Sequence, residues 1–351
     1  MRRMVAVLKV KAWKLLCLLS IIIFALSIAP TVHAIEATDT IQLKPGAEAI
    51  AYDSGKGEIF VANYYDNTVS VISDKSNTVV ATLNLRTTPA GAVGTNPGGV
   101  AYDSGKDEIF VTNKNDNTLS VISDSSNTVV ASIKVGNTPQ GVAYSSVKGE
   151  IFVANSGSNT VSVISDTNNT VVATVTVGER PVGVAYDSAM GEMFVANLGV
   201  ESGTGTISII ADSNNTVVAT LDLEIAPNNL AYDSGKGEIF INNGGVITVI
   251  SDKNNAVVAT LTPPIGVTNL AYDSAKGAIF FSGFYFGIDA QNRTVCVLSD
   301  RTNTFLETLS LSSTRSTSFG VAYDSTKGEV FVTDNSGKVC NIRFLPPLCI
   351  T

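Results

Sequence analysis

Residues 140–177 read QGVAYSSVKGEIFVANSGSNTVSVISDTNNTVVATVTV. Four short runs rich in Val, Ile, Thr and Phe alternate here with clusters of Gly, Asn, Asp and Ser. The runs are Gly141 to Tyr144, Glu150 to Asn155, Thr160 to Ser165 and Thr170 to Val177. β-Branched and aromatic side chains suit a pleated, half-buried surface. The polar clusters between them are hairpin chemistry. No window of the chain carries a sustained helical period. The stretch reads as one four-stranded unit.

That unit recurs. Ala-Tyr-Asp-Ser, or a near copy, places its tyrosine at Tyr52, Tyr102, Tyr144, Tyr186, Tyr232, Tyr272 and Tyr323, with spacings of 50, 42, 42, 46, 40 and 51 residues. A period near 40–45 residues with four strands per repeat is that of a β-propeller blade. The expected fold is an all-β, seven-bladed β-propeller. Its blades lie near 48–85, 98–135, 140–177, 182–223, 228–262, 268–311 and 319–345. The seventh unit runs into Pro346-Pro347 without a clear fourth strand, whereas Thr38 to Leu43 is a spare strand ahead of the first unit. That segment is expected to pair as the outer strand of blade seven, closing the ring and removing two exposed edges.

The repeated side chains assign the core. Phe60, Phe110, Phe152, Phe194, Phe240, Phe280 and Phe331 occupy one position of the second strand. With the repeat tyrosines they are expected between blades, where one sheet packs on the next. Two rings of aspartate also recur. Asp53, Asp103, Asp187, Asp233, Asp273 and Asp324 follow the tyrosine, with Ser145 in the gap, and Asp74, Asp124, Asp166, Asp212, Asp252 and Asp300 open the turn between the last two strands. Each unit lacks the dense oxygen set that calcium needs, so turn capping is the expected role and no metal or other cofactor is assigned.

Phe60-Val61-Ala62-Asn63, then Asn67-Thr68-Val69-Ser70-Val71-Ile72-Ser73-Asp74, resembles the YVTN β-propeller repeat. The matching segments from Phe110 and Phe152 do so too, as does Thr170 to Gly178 with Pro181 and Gly183-Val184-Ala185. Blades five to seven depart most, with Asn242-Asn243, Ser282-Gly283 and Thr333-Asp334 in the second half of the motif. The resemblance implies a propeller of the kind found in archaeal surface-layer and bacterial exported proteins. It carries no shared catalytic residues.

Export is expected independently. Arg2, Arg3, Lys9, Lys11 and Lys14 form a basic n-region, Leu15 to Ala29 an apolar h-region, and Val32-His33-Ala34 a cleavage site. Residues 1–34 read as a secretory signal peptide, with an uncleaved anchor as the alternative. Its removal takes five of the 23 Lys and Arg, leaving 18 against 31 Asp and Glu, a net charge of −13. Such a surface repels phosphate backbones, so nucleic acid is not an expected partner. The rest of the chain has no apolar run long enough to span a membrane.

Removal of the signal also takes the only histidine, His33. Ser-His-Asp and Cys-His catalysis and His-ligated metals are then excluded in their usual forms. Cys296, Cys340 and Cys349 remain. A Cys340–Cys349 bridge, with Pro346-Pro347 turning the tail back, stands beside free thiols as the alternative.

Two loop sets vary among the copies and share one face of the disc: the loop between the second and third strands, and the connection between blades. Variable loops on a uniform scaffold mark the functional face. Candidate binding residues there are Tyr64, Tyr65, Arg86, Lys114, Arg180, Phe284, Tyr285, Phe286 and Arg315. Three of the ten tyrosines fall outside the repeat position, and all three lie on these loops. They suit stacking on sugars or protein anchoring, or else fold over their own loops. The residues just before each first strand are expected to ring the channel mouth: Glu48, Gly98, Gln140, Val182, Asn228, Thr268 and Phe319. One carboxylate among them is not a paired acid/base site. Asn168, Asn214 and Asn292 begin Asn-x-Thr sequons, which an exported protein presents for glycosylation.

The reading that best unites these features is an exported or cell-surface binding propeller whose partner is a protein or glycan of the envelope. A lactonase-like enzyme using the channel mouth and a structural surface-layer component are the alternatives. Oligomeric state is not legible.

Overall fold

The computed structural model describes residues 35–86, 94–200, 203–284, 293–312 and 318–344, and among them there is no helix. In blade one, strand a is Ala47–Asp53, strand b Glu58–Asn63, strand c Thr68–Ser73 and strand d Thr78–Asn84. They pair antiparallel in that order, and the same plan gives seven four-stranded sheets. The chain is a seven-bladed β-propeller.

The turns follow from their residues. At the a–b turn of blade one, Asp53 Oδ1 accepts from the backbone N–H of Gly55 at 2.8 Å and of Lys56 at 3.1 Å. Asp103, Asp187, Asp233, Asp273 and Asp324 repeat this capping, and Ser145 Oγ accepts from Lys148 N–H in their place. At the c–d turn an asparagine takes the left-handed conformation its short polar side chain tolerates, as Asn77 does at φ 52°.

Strands b and c are buried along their length except at their ends, which are half-buried. All seven repeat phenylalanines are fully buried. The core is seven apolar clusters, one per seam between adjacent blades. In the first, Phe60, Val69 and Val71 of blade one meet Ile109 and Val111 of blade two. The repeat tyrosines sit at the same seams but are only half-buried, because their hydroxyls reach the neighbouring blade's a–b turn. Tyr52 Oη, for instance, lies 2.6 Å from Thr326 Oγ1 of blade seven.

Blade seven contains strands Ser318–Asp324, Glu329–Asp334 and Lys338–Phe344, and its outer strand is Ile35–Gln42 from the other end of the chain. Ile35 pairs with Phe344 and Gln42 with Lys338, with a bulge between Ala37 and Asp39. The strand starts earlier than Thr38 because Ile35 is anchored in the apolar cluster between blades six and seven. Ile41 enters the cluster between blades seven and one. Thus the ring closes as the spare strand implied.

Of the two cysteines in the candidate Cys340–Cys349 bridge, Cys340 is among the described residues. Cys340 is a free, buried thiol, facing Thr40 Oγ1 at 3.8 Å on the pairing between Lys338–Phe344 and the closing strand. Cys296 is likewise a free, buried thiol, and burial raises its pKa. Cys349 and the signal-like residues 1–34 lie outside the described residues.

Candidate functional site: the channel mouth and its aromatic rim

The seven a strands line the central channel. Small residues near their starts let neighbouring strands approach: a Cβ on Gly99 would stand 2.2 Å from the carbonyl oxygen of Gln140, and one on Gly141 2.5 Å from that of Val182. At one end the channel opens into a cavity of about 440 Å³. Glu48, Gly98, Gln140, Val182, Asn228 and Thr268 all line it, so the structure brings together six of the expected mouth residues. The side chain of Phe319 lies outside the described residues. The size is that of a small-ligand site.

Three further lining residues give the cavity its character. Lys114, on the b–c loop of blade two, reaches across to Glu48 of blade one, with Nζ 2.6 Å from Oε1. Both side chains are largely withdrawn from water, which strengthens their attraction over that of an exposed pair. Opposite, Asn229 of blade five donates to Asn269 Oδ1 of blade six at 2.6 Å. The mouth therefore holds one ion pair on one side and amides with the Thr268 hydroxyl on the other. Asn229 and Asn269 were missed by the sequence reading. The signal existed, for at the equivalent position blades two, three, four and seven have glycine.

The aromatic rim joins this cavity. Lys114 Nζ lies 5.2 Å from the centroid of the Tyr64 ring, and Tyr64 meets Tyr65 edge to face at 5.3 Å. Tyr65 is 63% exposed. Its ring covers Gly46, where any side chain would collide with it. A fixed, exposed tyrosine thus leads through Tyr64 and Lys114 to Glu48. The sequence presents loop aromatics and channel mouth as separate sets, and the structure connects them.

The other candidates are dispersed. Arg86 is exposed, its N–H bonded to Asn84 Oδ1. Arg180 takes a left-handed conformation, its N–H donates to Asn159 Oδ1, and its guanidinium donates to the carbonyl of Gly199 in a neighbouring loop. Phe284 ends strand b of blade six, half-buried. Tyr285, Phe286 and Arg315 lie outside the described residues, as does Asn292. Asn168 and Asn214 are exposed on c–d turns, and their Oδ1 atoms accept from the hydroxyls of Thr170 and Thr216.

On the opposite face, the aspartate rings face one another across the seams, except where Ser145 replaces the first aspartate and where blade seven lacks the second. The Oδ2 atoms of Asp53, Asp103, Asp187, Asp233, Asp273 and Asp324 are buried without a hydrogen-bond donor. Among the described residues, no group of three or more acidic, thiol or imidazole side chains is placed to hold a metal ion.

Fold and site together define a seven-bladed β-propeller with a polar, ion-paired channel mouth under an aromatic rim. The chain resembles a solved structure of hydrazine synthase from Kuenenia stuttgartiensis, with a TM-score of 0.72 over 86% of this chain and 97% of that one, at 17% identity. A likeness at that identity is one of fold. Comparison with protein families found no match. Comparison with curated protein sequences found none either.

Proposed function

We propose that this chain is an exported propeller of the YVTN-repeat type that binds a component of the cell envelope through its channel mouth and rim. The ligand chemistry that suits the site is a glycan. The observation that supports this is the run from exposed Tyr65 through Tyr64 to the Lys114–Glu48 pair, in one cavity with the amides of Asn228, Asn229 and Asn269. Sugar rings offer apolar C–H faces that stack on aromatics and hydroxyls that both donate and accept. An amide-lined mouth with one ion pair meets hydroxyls in either sense. The acidic balance of the remaining chain disfavours an anionic polymer as partner.

The test is co-sedimentation of the purified protein with host-cell envelopes, followed by titration with oligosaccharides released from them. Saturable binding is expected. Tyr65→Ala should weaken it about tenfold, equivalent to ~1.4 kcal/mol, and Lys114→Ala by a similar factor. Absence of binding to envelopes and oligosaccharides alike rejects the proposal. Binding that survives both substitutions unchanged moves the contact away from this mouth.

A further inference from the structure

The face opposite the channel mouth carries buried carboxyl groups that the binding reading does not use. Between blades five and six, Tyr272 Oη lies 3.4 Å from Asp300 Oδ2. It also approaches Asp233 of the preceding blade, and the three groups converge on Gly235. A Cβ there would stand 2.5 Å from Tyr272 Oη, 3.2 Å from Asp233 Oδ1 and 3.7 Å from Asp300 Oδ2. Asp233 is fully buried; its Oδ1 is occupied by two turn N–H groups, and its Oδ2 has no donor. The seam between blades four and five repeats this with Asp187, Tyr232 and Asp252, where Tyr232 Oη is 3.5 Å from Asp252 Oδ2. At the seam between blades two and three, Tyr144 Oη and Asp103 Oδ1 converge in the same way on Gly105, 2.5 and 3.2 Å from where its Cβ would stand, with the Asp166 charge near enough to raise the tyrosine's pKa. In each, the first aspartate's Oδ2 is buried and without a donor.

Two ionised carboxylates around one phenol leave a hydrogen bond short. The phenol has one hydrogen and both carboxylates only accept. One added proton completes a chain: carboxyl O–H to tyrosine oxygen, tyrosine O–H to the second carboxylate. The molecule contains its own comparison. Between blades three and four, Ser145 replaces the first aspartate, and Ser145 Oγ and Tyr186 Oη donate to Asp212 Oδ2 at 3.2 and 2.8 Å. There two donors meet one carboxylate and nothing is missing.

We propose that the Asp103–Asp166, Asp187–Asp252 and Asp233–Asp300 seams each take up one shared proton, so that the blades lock together more firmly as the surroundings turn mildly acidic.

The remaining charges at these seams do not supply the missing donor. Lys106 lies near Asp103 and Glu108, and Glu108 adds a further carboxylate held by Asn169. Glu192 adds one beside Asp187 and Asp252; Lys253 acts on Asp252 against burial and Asp187, and Met190 occupies the position of the repeat lysine. Lys236 stands between Asp300 and Glu238. Burial first, then the facing carboxylate, holds Asp252 and Asp300 above the usual carboxylate range. Burial likewise raises Asp103, with Asp166 adding to it against the hydrogen bonds from Gly105 and Tyr144. A carboxyl with a raised folded-state pKa binds more protons folded than unfolded. Its contribution to stability therefore grows as pH falls through that raised value and levels off near the ordinary carboxylate value.

The test is thermal unfolding of the purified protein between about pH 8 and about pH 5. The melting temperature should rise by several degrees on acidification. Asp103→Asn, Asp187→Asn and Asp233→Asn keep the turn-capping oxygen and supply the missing donor. Each should raise the melting temperature at the alkaline end, and the triple variant should flatten the profile. Ser145→Asp should steepen it by creating a fourth such seam. A flat or falling profile in the parent protein overturns the proposal, as does an unchanged slope in the triple variant. So does a calcium-dependent rise at about pH 8 that the Asn variants abolish, because a cation would then supply the missing charge.

Discussion

At the scale of single residues, the asparagine that ends strand b explains the repeated Val-Ala-Asn and Val-Thr-Asn sequences. Asn155 is fully buried, and its Nδ2 meets Thr160 Oγ1 at 3.2 Å and Ser162 Oγ at 2.9 Å across the b–c loop. Asn63, Asn113 and Asn197 do the same in their blades. Asn155→Ala would leave two hydroxyls inside the sheet with fewer partners, a cost of about 1–3 kcal/mol. Urea unfolding should show a lower midpoint at an unchanged slope. A midpoint equal to that of the parent would show this bolt to be dispensable. Blades five to seven lack this arrangement as the sequence indicated: Asn243 Nδ2 donates instead to the carbonyl of Ile225, Gly283 has no side chain to offer, and Asp334 Oδ1 accepts from Ser336 Oγ and Lys338 N–H. Repeated positions were legible because seven copies compare themselves. The Glu48–Lys114 pair was not, because its partners stand in different blades and meet only through the packing of blade one on blade two.

At the scale of elements, the outer strands carry two devices. In blade one, Ile72 pairs with Val79 and Val71 with Ala81, so Val80 is an extra residue in strand d. The equivalent bulge recurs through blade six. These strands expose apolar side chains, Val80 and Val172 both at 51%, and a bulge in such an edge obstructs a further strand. The closing strand is the second device. Removal of residues 35–42 should expose the clusters at two seams and lower the melting temperature by more than ten degrees, far beyond the effect of trimming a loose terminus. The milder Ile41→Ala should cost about 2–4 kcal/mol. Calorimetry checks both, and an unchanged transition after the deletion would contradict the closure. The sequence revealed this strand through an absence, a seventh unit one strand short. Its starting residue was misjudged because the anchoring role of Ile35 depends on blade six, far along the chain.

At the scale of the whole molecule, seven seams of similar build are joined in a circle. An open array loses end units separately, whereas a closed ring offers no end to fray. The protein should unfold in a single transition, with coincident near- and far-ultraviolet circular dichroism curves. Two resolved transitions would show blades melting independently. The fold was legible almost throughout because strand period, turn residues and repeat length all indicate the same architecture. The site was legible only to a degree. The order of strands places the mouth residues in one ring, but which of them interact depends on side-chain reach across the channel.

The pairing of Ile35 with Phe344 brings both ends of the propeller to one point on the rim, on antiparallel neighbours. A load applied between those ends would act across the pair and not along it. Cross-strand bonds would then break in succession, as in a zipper, at far lower force than if all were sheared together. A propeller tethered by one end hangs free of that load; one strung between two attachments has its weakest joint where the circle was closed.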